Sequence, residues 1–196
     1  MIDFWNARYA AAEYAYGTEP NAFFKAQLDQ LTPGRLLLPA EGEGRNAVYA
    51  AKKGWEVVAF DQSDAGQKKA LKLAKEAGVS LTYLIKDAMD FDSKTTFDVV
   101  FYGFFHVPPD ALTPLYHHLN TFLKPGGTLL LEGFSKKNLG LGSGGPQNEA
   151  MLFTPESIFY LFDDFTTVEA WEEETVLNEG PFHQGSASVI RGVCTK

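Results

Sequence analysis

Short apolar segments alternate with helical segments along most of the chain, and this alternation is the strongest constraint on the fold. Five candidate strands lie at 35–38, 56–60, 81–85, 97–103 and 127–134. Segments with helical character separate most of them, at 45–54, 64–78 and 110–127, and Gly54, Gly78 and the Pro125–Gly127 turn are expected to end these helices. Strands joined through helices by short loops predict a parallel sheet that is covered on both faces.

The last third of the chain predicts a different connection. Thr154 and Pro155 suit the start of a further helix. Two strands follow at 165–177 and 186–196, and "NEGPFHQG" between them is too short for a crossover helix. We therefore predict a Rossmann-like, doubly wound α/β sheet of seven strands, mostly parallel with the last strand antiparallel, in a three-layer sandwich. The chain is expected to be one domain, with an N-terminal helical or lid segment (1–30) and a core (35–196).

Composition limits the possible partners. The chain has 17 Lys and Arg residues and 25 Asp and Glu residues, which give a formal net charge of −8. This charge disfavours nucleic acid as a partner. Four lysines at 68, 69, 72 and 75 fit a solvated helix face. The chain has no apolar run of about 18 residues, no signal-like N-terminus and a single cysteine, Cys194. These features predict a cytoplasmic protein without membrane contact, either a monomer or a homodimer.

Glycines and acids follow successive strands, at the edge of a parallel sheet where ligands bind. Gly42 and Gly44 follow the first strand, and they suit either a tight turn or a backbone that approaches a ligand closely. Asp61 ends the second strand, where a carboxylate can accept hydrogen bonds from ribose hydroxyls. The alternative is a helix cap, which Asp64 suits better. Asp87 follows the third strand and could accept from an exocyclic amine, so the three acids together indicate a nucleoside site.

The motifs "LLLPAEGEGRNA", "VVAFDQS", "KDAMDF", "FDVVFYGFFHVPP" and "LKPGGTLLLEGF" resemble class I S-adenosylmethionine-dependent methyltransferases, in particular the tellurite-resistance and thiopurine S-methyltransferase-like group. The N-terminal "WNARYAAAEYAYGTEPNAF" supports the same resemblance. It implies S-adenosylmethionine as cofactor and S-adenosylhomocysteine as product. It further implies that the loop 41–46 holds the methionine part, Asp61 the ribose, and Asp87 the adenine, with 103–106 near the methyl group. The cofactor-binding residues so implied are Glu41, Gly42, Glu43, Gly44, Asn46, Asp61, Gln62, Ser63, Asp87, Ala88, Met89, Gly103 and Phe104.

The chain departs from this family at two positions of the first motif. An acid usually ends the first strand and a glycine follows, but the matching positions here are Leu38 and Ala40. Either Glu41 supplies the missing negative charge or that contact is absent. The affinity for the cofactor, more than the fold, depends on which alternative holds.

The acceptor chemistry needs few groups. A sulfonium methyl is already activated, so transfer to a small molecule needs an aligned nucleophile and a dry site. A soft atom (S, Se or Te) ionises easily, whereas an amine or alcohol needs a base. His106 is the one candidate base, and the alternative is that its ring fastens a loop. His117 and His118 are adjacent in a helix and no cysteine cluster accompanies them, so no metal is expected.

Aromatic residues before the first strand are candidates for the acceptor pocket, because the sheet does not need them. Trp5 and Tyr9 are also expected to share a helix face. The glycine-rich loop 136–150 is expected to close the other side of the pocket. The predicted pocket residues are Trp5, Tyr9, Tyr16, Phe24, Phe105, His106 and Phe134.

Two other classes of protein fit part of the pattern. A nicotinamide dehydrogenase also needs glycines and a later acid, but Ala47 stands where the third glycine of G-x-G-x-x-G would fall. A protein that binds S-adenosylmethionine without catalysis is the second alternative, favoured by the departures at Leu38 and Ala40. Fold alone does not distinguish these functions.

Overall fold

The computed structural model describes residues 2–196. Their seven strands form one sheet, and helices cover both of its faces. The helices are α1 (Ile2–Tyr9), α2 (Ala22–Leu28), α3 (Arg45–Lys52), α4 (Asp64–Glu76), α5 (Pro109–Asn120) and α6 (Pro155–Leu161). The strands are β1 (Arg35–Pro39), β2 (Glu56–Asp61), β3 (Thr82–Ile85), β4 (Phe97–Gly103), β5 (Leu123–Phe134), β6 (Thr167–Asn178) and β7 (Gln184–Thr195). Within residues 2–196, no helix is long and apolar enough to cross a membrane.

The strand order is β3-β2-β1-β4-β5-β7-β6. Strands β1 to β5 pair in parallel, and β7 runs antiparallel to both β5 and β6. The predicted Rossmann-like sheet with only its last strand reversed is confirmed. Strand order reverses between β1 and β4, which makes their carboxyl ends the expected ligand-binding edge.

Two of the three predicted helix ends are found where the glycines indicate them, and the third is not. Gly54 and Gly78 follow the caps of α3 and α4 with φ of 90° and 68°. The prediction that α5 reaches the Pro125–Gly127 turn is wrong, because α5 ends at Asn120 and the turn lies inside β5. The N–H of Phe97 donates to the carbonyl of Phe122 at 2.8 Å. Pairing with β4 therefore begins at residues 122–123, before the turn.

Two apolar cores cover the two faces of the sheet. One lies under α5 and α6 and contains Tyr102, Tyr116 and Phe162. The other lies under α2, α3 and α4, where Phe24 stacks on Phe101 with ring centroids 4.6 Å apart. Phe24 has no exposed surface, which corrects its predicted place in the acceptor pocket. Its apolar, pre-strand position was compatible with either role.

The lysine face of α4 is only partly solvated. Lys68 and Lys72 are exposed and each pairs with an acid one helical turn away. Lys69 instead lies against the loop after β1, where Nζ is 2.6 Å from Oε1 of the buried Glu43 and also donates to the carbonyl of Glu13. This lysine links α4 to both the N-terminal segment and the β1–α3 loop.

Gly44 determines how closely α3 and α4 approach. It precedes α3 with φ of 85°, and a Cβ there would lie 2.5 Å from Cβ of Ala70 in α4. We expect Gly44→Ala to lower the free energy of unfolding by about 2 kcal/mol more than Gly54→Ala does. Gly54 is the matched control, because its φ is 90° but a Cβ would meet no atom of residues 2–196 within 4 Å. Urea unfolding measures both losses, and equal losses would show that the helices separate without cost.

Candidate functional site

The loop after β1 brings the two predicted glycines to the point where strand order reverses. Gly42 has φ of 62°, and its carbonyl accepts a hydrogen bond from the Tyr83 hydroxyl at 2.5 Å. A Cβ at Gly42 would lie 2.7 Å from the hydroxyl oxygen of Tyr9. The bare backbone is therefore needed for packing against α1 and β3, whatever else the loop binds.

The two departures from the family motif have structural explanations. Leu38 is fully buried in the core beneath α2 and α3, where a carboxylate would lose its hydration. Ala40 has φ of 51°, the left-handed conformation that a glycine adopts without strain. The backbone at Ala40 thus adopts a conformation that favours the glycine of the resembled motif, although the sequence has alanine there.

Glu41 lies at the amino end of α3 and caps that helix. Its Oε1 accepts from the backbone N–H of Ala47 at 2.8 Å, and its Oε2 accepts from Nδ2 of Asn46 at 3.2 Å. Burial raises the pKa of Glu41 to about 7, against the lowering effect of these hydrogen bonds. The carboxylate that could replace the missing family acid is thus engaged within the loop.

Asp61 ends β2 and ties the two neighbouring loops together. Its Oδ2 accepts from the N–H of Gly42 at 3.1 Å and its Oδ1 from the N–H of Ser63 at 2.8 Å. Burial raises the pKa of Asp61. The N-cap of α4 is Ser63, and not Asp64 as predicted, because the Ser63 hydroxyl accepts from the N–H of Gly66 at 3.1 Å. Asp61 is therefore not the helix cap.

The end of β3 lies beside the end of β2. Ile85 is the register partner of Asp61, and the N–H of Lys86 donates to the Asp61 carbonyl at 3.0 Å. Asp87 is exposed, and its Oδ1 accepts from the N–H of Met89 at 2.9 Å at the start of a 3-10 turn. Ile85 and Met89 each leave about half of their surface exposed at this edge.

The end of β4 places a strained aromatic residue at the edge of the sheet. Phe104 has φ of 52°, a conformation that costs a non-glycine residue roughly 1–2 kcal/mol. Its N–H donates to the carbonyl of Glu132 at 2.7 Å, and its ring packs on Phe134 and His183 with centroids 4.7 and 4.4 Å away. Strained backbone of this kind is concentrated at functional sites.

His106 is held by the backbone through both ring nitrogens. Nδ1 lies 2.8 Å from the carbonyl of Met151, and Nε2 accepts from the N–H of Phe134 at 3.0 Å. These contacts require a neutral ring with its proton on Nδ1. Burial lowers the pKa of His106 to about 4. The geometry favours the loop-fastening role over the predicted role as a base.

This environment makes the protein sensitive to acid. The folded-state pKa of His106 lies below the usual 6.5, so its contribution to stability is complete above pH 6.5 and is lost as pH falls toward 4. We expect His106→Gln to take up about one proton fewer on unfolding in this pH range, and thus to show a flatter loss of stability. Urea unfolding at several pH values measures the slope, with His117→Gln, an exposed position, as control. An unchanged slope would contradict the assigned tautomer.

The N-terminal segment lies over the loop after β1. Trp5 and Tyr9 stack on one face of α1, as predicted, with centroids 5.5 Å apart. Tyr9 is buried, and the N–H of Ala15 donates to Glu43 at 2.7 Å. Tyr16 lies further along, 4.5 Å from the ring of His183. The predicted pocket residues therefore do not form one group: Tyr16 and Phe134 both contact His183, whereas Phe105 stacks on Tyr116.

His183 lies at the centre of this aromatic group, and no feature of the sequence singled it out. Its Nδ1 is 3.4 Å from Oε2 of Glu179. The same oxygen accepts a hydrogen bond from Nη2 of Arg45 at 2.8 Å. Burial raises the pKa of Glu179, but the bond to His183 and the charge of Arg45 outweigh this and bring it to about 2. Burial lowers the pKa of His183, more than Glu179 raises it. The ring is therefore neutral at neutral pH.

The glycine-rich loop 136–150 packs on the same aromatic group. Asn138 fixes it, because its side chain binds the hydroxyl of Ser143 and the N–H of Ser188. Gly144 and Gly145 lie against the ring of Phe134 so closely that a Cβ at either would be within 3.1 Å of it. The loop therefore packs directly against Phe134, and its role in closing the acceptor pocket stays a prediction.

Residues 39–127 match the family model described as "Methyltransferase domain". Over these 89 of its 196 residues, the chain is similar to a methyltransferase domain. The match covers the loop after β1 and the ends of β2, β3 and β4, where the acids and glycines lie. No curated protein matches the chain.

Several solved structures share the fold of this chain. A protein from work on the conversion of a disulfide bond into a thioacetal group during echinomycin biosynthesis has a TM-score of 0.79 and 16% identity, covering 100% of this chain and 91% of its own. TehB from Haemophilus influenzae has a TM-score of 0.74 and 12% identity, covering 100% and 66%. Magnesium protoporphyrin IX methyltransferase from Synechocystis PCC 6803, with bound S-adenosylhomocysteine, has a TM-score of 0.70 and 17% identity, covering 100% and 97%.

These findings confirm the predicted enzyme class and its methyl donor at the level of the domain. They do not extend to the tellurite-resistance or thiopurine subgroup or to the acceptor atom. Identities this low show the fold, and the roles of individual residues follow only from the chemistry of the site.

Proposed function

We propose that the protein transfers the methyl group of S-adenosylmethionine to a small molecule through a soft acceptor atom, sulfur, selenium or tellurium. The observation that carries this proposal is the position of His183. A neutral imidazole held by a buried carboxylate lies against Tyr16 and Phe104, at the end of the strand where the transferred methyl group is expected. A nicotinamide enzyme is disfavoured because Ala47 stands where the third glycine of G-x-G-x-x-G would fall.

The residues at the carboxyl edge of the sheet fit S-adenosylmethionine. Each oxygen of Asp61 accepts one backbone hydrogen bond and keeps a lone pair for a ribose hydroxyl. Asp87 uses one oxygen in its turn and leaves the other for an amine, and the half-exposed Ile85 and Met89 offer apolar surface to a base. When bound, the cofactor supplies a methyl group that its sulfonium charge has already activated.

The protein's own contribution to the chemistry is orientation and proton acceptance. With its proton on Nδ1 facing Glu179, His183 presents an unprotonated Nε2, which has no hydrogen-bond partner within residues 2–196. An acceptor S–H group can give its proton to this nitrogen while its sulfur aligns with the methyl group. Glu179, which Arg45 holds in position, then stabilises the imidazolium.

A soft acceptor suits this site. A thiol needs only a weak base, and the polarisable rings of Tyr16, Phe104 and Phe134 favour contact with sulfur or its heavier relatives. The fold neighbours include TehB and a protein from work on conversion of a disulfide bond into a thioacetal group, which supports sulfur chemistry here. The tellurite-resistance-like subgroup is part of this proposal.

The N-terminal segment is proposed to be a cover for the site. Residues 1–30 would close over the loop after β1, and residues 35–196 would form the core of one domain. The buried bonds from Ala15 to Glu43 and from Asn21 to Asn46 support this role, because both join the segment to the loop or to α3.

Calorimetry of the purified protein with S-adenosylmethionine and S-adenosylhomocysteine tests the function, with NADH as the control ligand. We expect binding of the first two and none of NADH, followed by formation of S-adenosylhomocysteine with small thiols, selenite or tellurite. Binding without turnover of any acceptor would favour the non-catalytic alternative. Binding of NADH alone would overturn the proposal.

A further inference from the structure

Asn21 joins the N-terminal segment to the surroundings of His183, and it is buried, with 2% of its surface exposed. It is the N-cap of α2, because its Oδ1 accepts from the N–H of Phe24 at 2.8 Å. Its Nδ2 donates to Glu132 Oε2 and, at 3.1 Å, to Glu179 Oε1. The cap needs only the oxygen of the amide, so the two hydrogens on Nδ2 serve a separate purpose.

Glu179 is held by three side chains that engage its two oxygens unequally. Within residues 2–196, Oε1 accepts only from Asn21. Oε2 lies 2.8 Å from Nη2 of Arg45 and 3.4 Å from Nδ1 of His183. Asn21 therefore fixes the rotation of the carboxylate, and this rotation determines which oxygen faces the imidazole.

Arg45 offers Glu179 a competing arrangement. Its Nη1 is buried and has no hydrogen-bond partner within residues 2–196, and a buried donor of this kind is costly to leave unpaired. A guanidinium and a carboxylate favour a pair with two bonds, in which each oxygen binds one nitrogen. In such a pair, Oε1 of Glu179 would leave Asn21 for Nη1, and the carboxylate would rotate relative to the ring of His183. The bond from Asn21 opposes this rotation.

The backbone of Asn21 is fixed in turn by the loop after β1. Its N–H donates to Oδ1 of Asn46 at 2.9 Å. Asn46 lies in the first turn of α3, and its Nδ2 donates to Glu41 Oε2 at 3.2 Å. Asn46 and Asn21 thus connect the loop where the cofactor is proposed to bind with the carboxylate beside His183.

We propose that Asn21 is a positioning residue for methyl transfer, whose amide holds the Glu179 carboxylate against Nδ1 of His183. Nε2 of that ring is then left free to accept the proton of the acceptor S–H group. Asn21 acts through Glu179 and needs no contact with the acceptor. This inference rests on the proposed function and adds a residue to its proton-accepting pair.

Asn21→Ser separates the two roles of the side chain. Serine is as good an N-cap as asparagine, so its hydroxyl is expected to keep the bond from the N–H of Phe24. It has no amide that could reach Glu132 and Glu179. We expect kcat with a thiol acceptor to fall about tenfold near neutral pH, because the base is displaced and not removed. Affinity for S-adenosylhomocysteine should change little, and kcat is measured well below the unfolding temperature of the variant.

The titration of His183 is a readout that a purely structural role would not move. Burial lowers the pKa of His183, and the contact with Glu179 raises it. Loss of that contact in Asn21→Ser should lower the pKa further and move the acidic limb of the kcat profile to lower pH. NMR of the imidazole measures this pKa and the tautomer without turnover. The other charged or titratable groups near the ring are unaltered in this variant: Arg8, Tyr16, Arg45 and His106.

A double variant tests whether the effect passes through Glu179. Adding Asn21→Ser to Glu179→Gln is expected to cost no further kcat, because residues that act through one contact are not additive. A full additional loss would assign the effect to Glu132 and would contradict the inference. Asn148→Ser is the matched control, since this exposed asparagine also caps a turn, accepting from the N–H of Ala150 at 3.1 Å. It should leave kcat unaltered.

The outcomes separate the inference from the proposed function. Normal kcat with an unshifted His183 titration in Asn21→Ser would overturn the inference and leave the function standing, since Asn21 would then only cap α2. A loss of kcat in Asn21→Ala that Asn21→Ser does not share would mean the same. If the unaltered protein forms no S-adenosylhomocysteine with small thiols, selenite or tellurite, the proposed function is refuted. The His183 titration would still show whether Asn21 holds Glu179.

Discussion

Replacing Asp61 by alanine is expected to weaken binding of S-adenosylhomocysteine by about 100-fold or more. The carboxylate stands at the end of β2 and is proposed to accept hydrogen bonds from the ribose hydroxyls, each worth roughly 1.5–3 kcal/mol when the acceptor is charged. The substitution also leaves the N–H groups of Gly42 and Ser63 without their acceptor. Loss of ligand contact and loss of loop order therefore act in the same direction. Calorimetry measures the affinity.

Two further variants separate these contributions. Asp61→Asn keeps the size and one acceptor oxygen, and we expect it to lose less affinity than alanine while still binding more weakly than the unaltered protein. Asp64→Ala removes the neighbouring acid, which is half-exposed and pairs only with Lys68 among residues 2–196, and it should bind normally. Unchanged affinity in Asp61→Ala would show that the cofactor contacts other residues and would contradict the assignment.

The sheet, and the edge at which the candidate site lies, could be predicted because local patterns determine them. The acid Asp61 and the glycines Gly42 and Gly44 follow predicted strands directly, and parallel strands bring their carboxyl ends to one edge. The end of α5 was not predictable in the same way. Pairing of Phe97 with Leu123 is a contact across the sheet, and it overrides the helical character of the sequence between them.

The polar network around His183 escaped prediction because its contacts join distant parts of the chain. Asn21 meets Glu132 across 111 positions, and Arg45 meets Glu179 across 134. Glu132 sits in an apolar strand and His183 in a hairpin turn, where an isolated polar residue has no periodic signal. The single local sign was that His183 is one of only four histidines.

The unusual first motif illustrates how a fold can retain a loop while changing its chemistry. Ala40 accepts a left-handed conformation at a cost of roughly 1–2 kcal/mol, and Leu38 fills the core instead of carrying charge. Glu41 caps α3 from within the loop. The loop therefore holds its shape through its own side chains.

Replacing His183 by glutamine is expected to lower kcat with a thiol acceptor by about 100-fold near neutral pH, the usual range for a lost proton acceptor. Affinity for S-adenosylhomocysteine should change little, because the ring contacts Tyr16, Phe104 and Phe134 and not the loop after β1. The loss should shrink as pH rises toward the thiol pKa of about 8.5, where the acceptor ionises without help. A pH profile of kcat measures this recovery.

His117→Gln makes the same change at an exposed position of α5 and should leave kcat unaltered at every pH. A loss in His183→Gln that persists above pH 8.5 would argue for an oxygen acceptor, whose proton still needs a base there. Unaltered kcat in His183→Gln would reduce the residue to a packing role among the aromatic rings. The pH dependence thus distinguishes the soft acceptor from a hard one, because a thiol loses its proton near pH 8.5 and an alcohol does not.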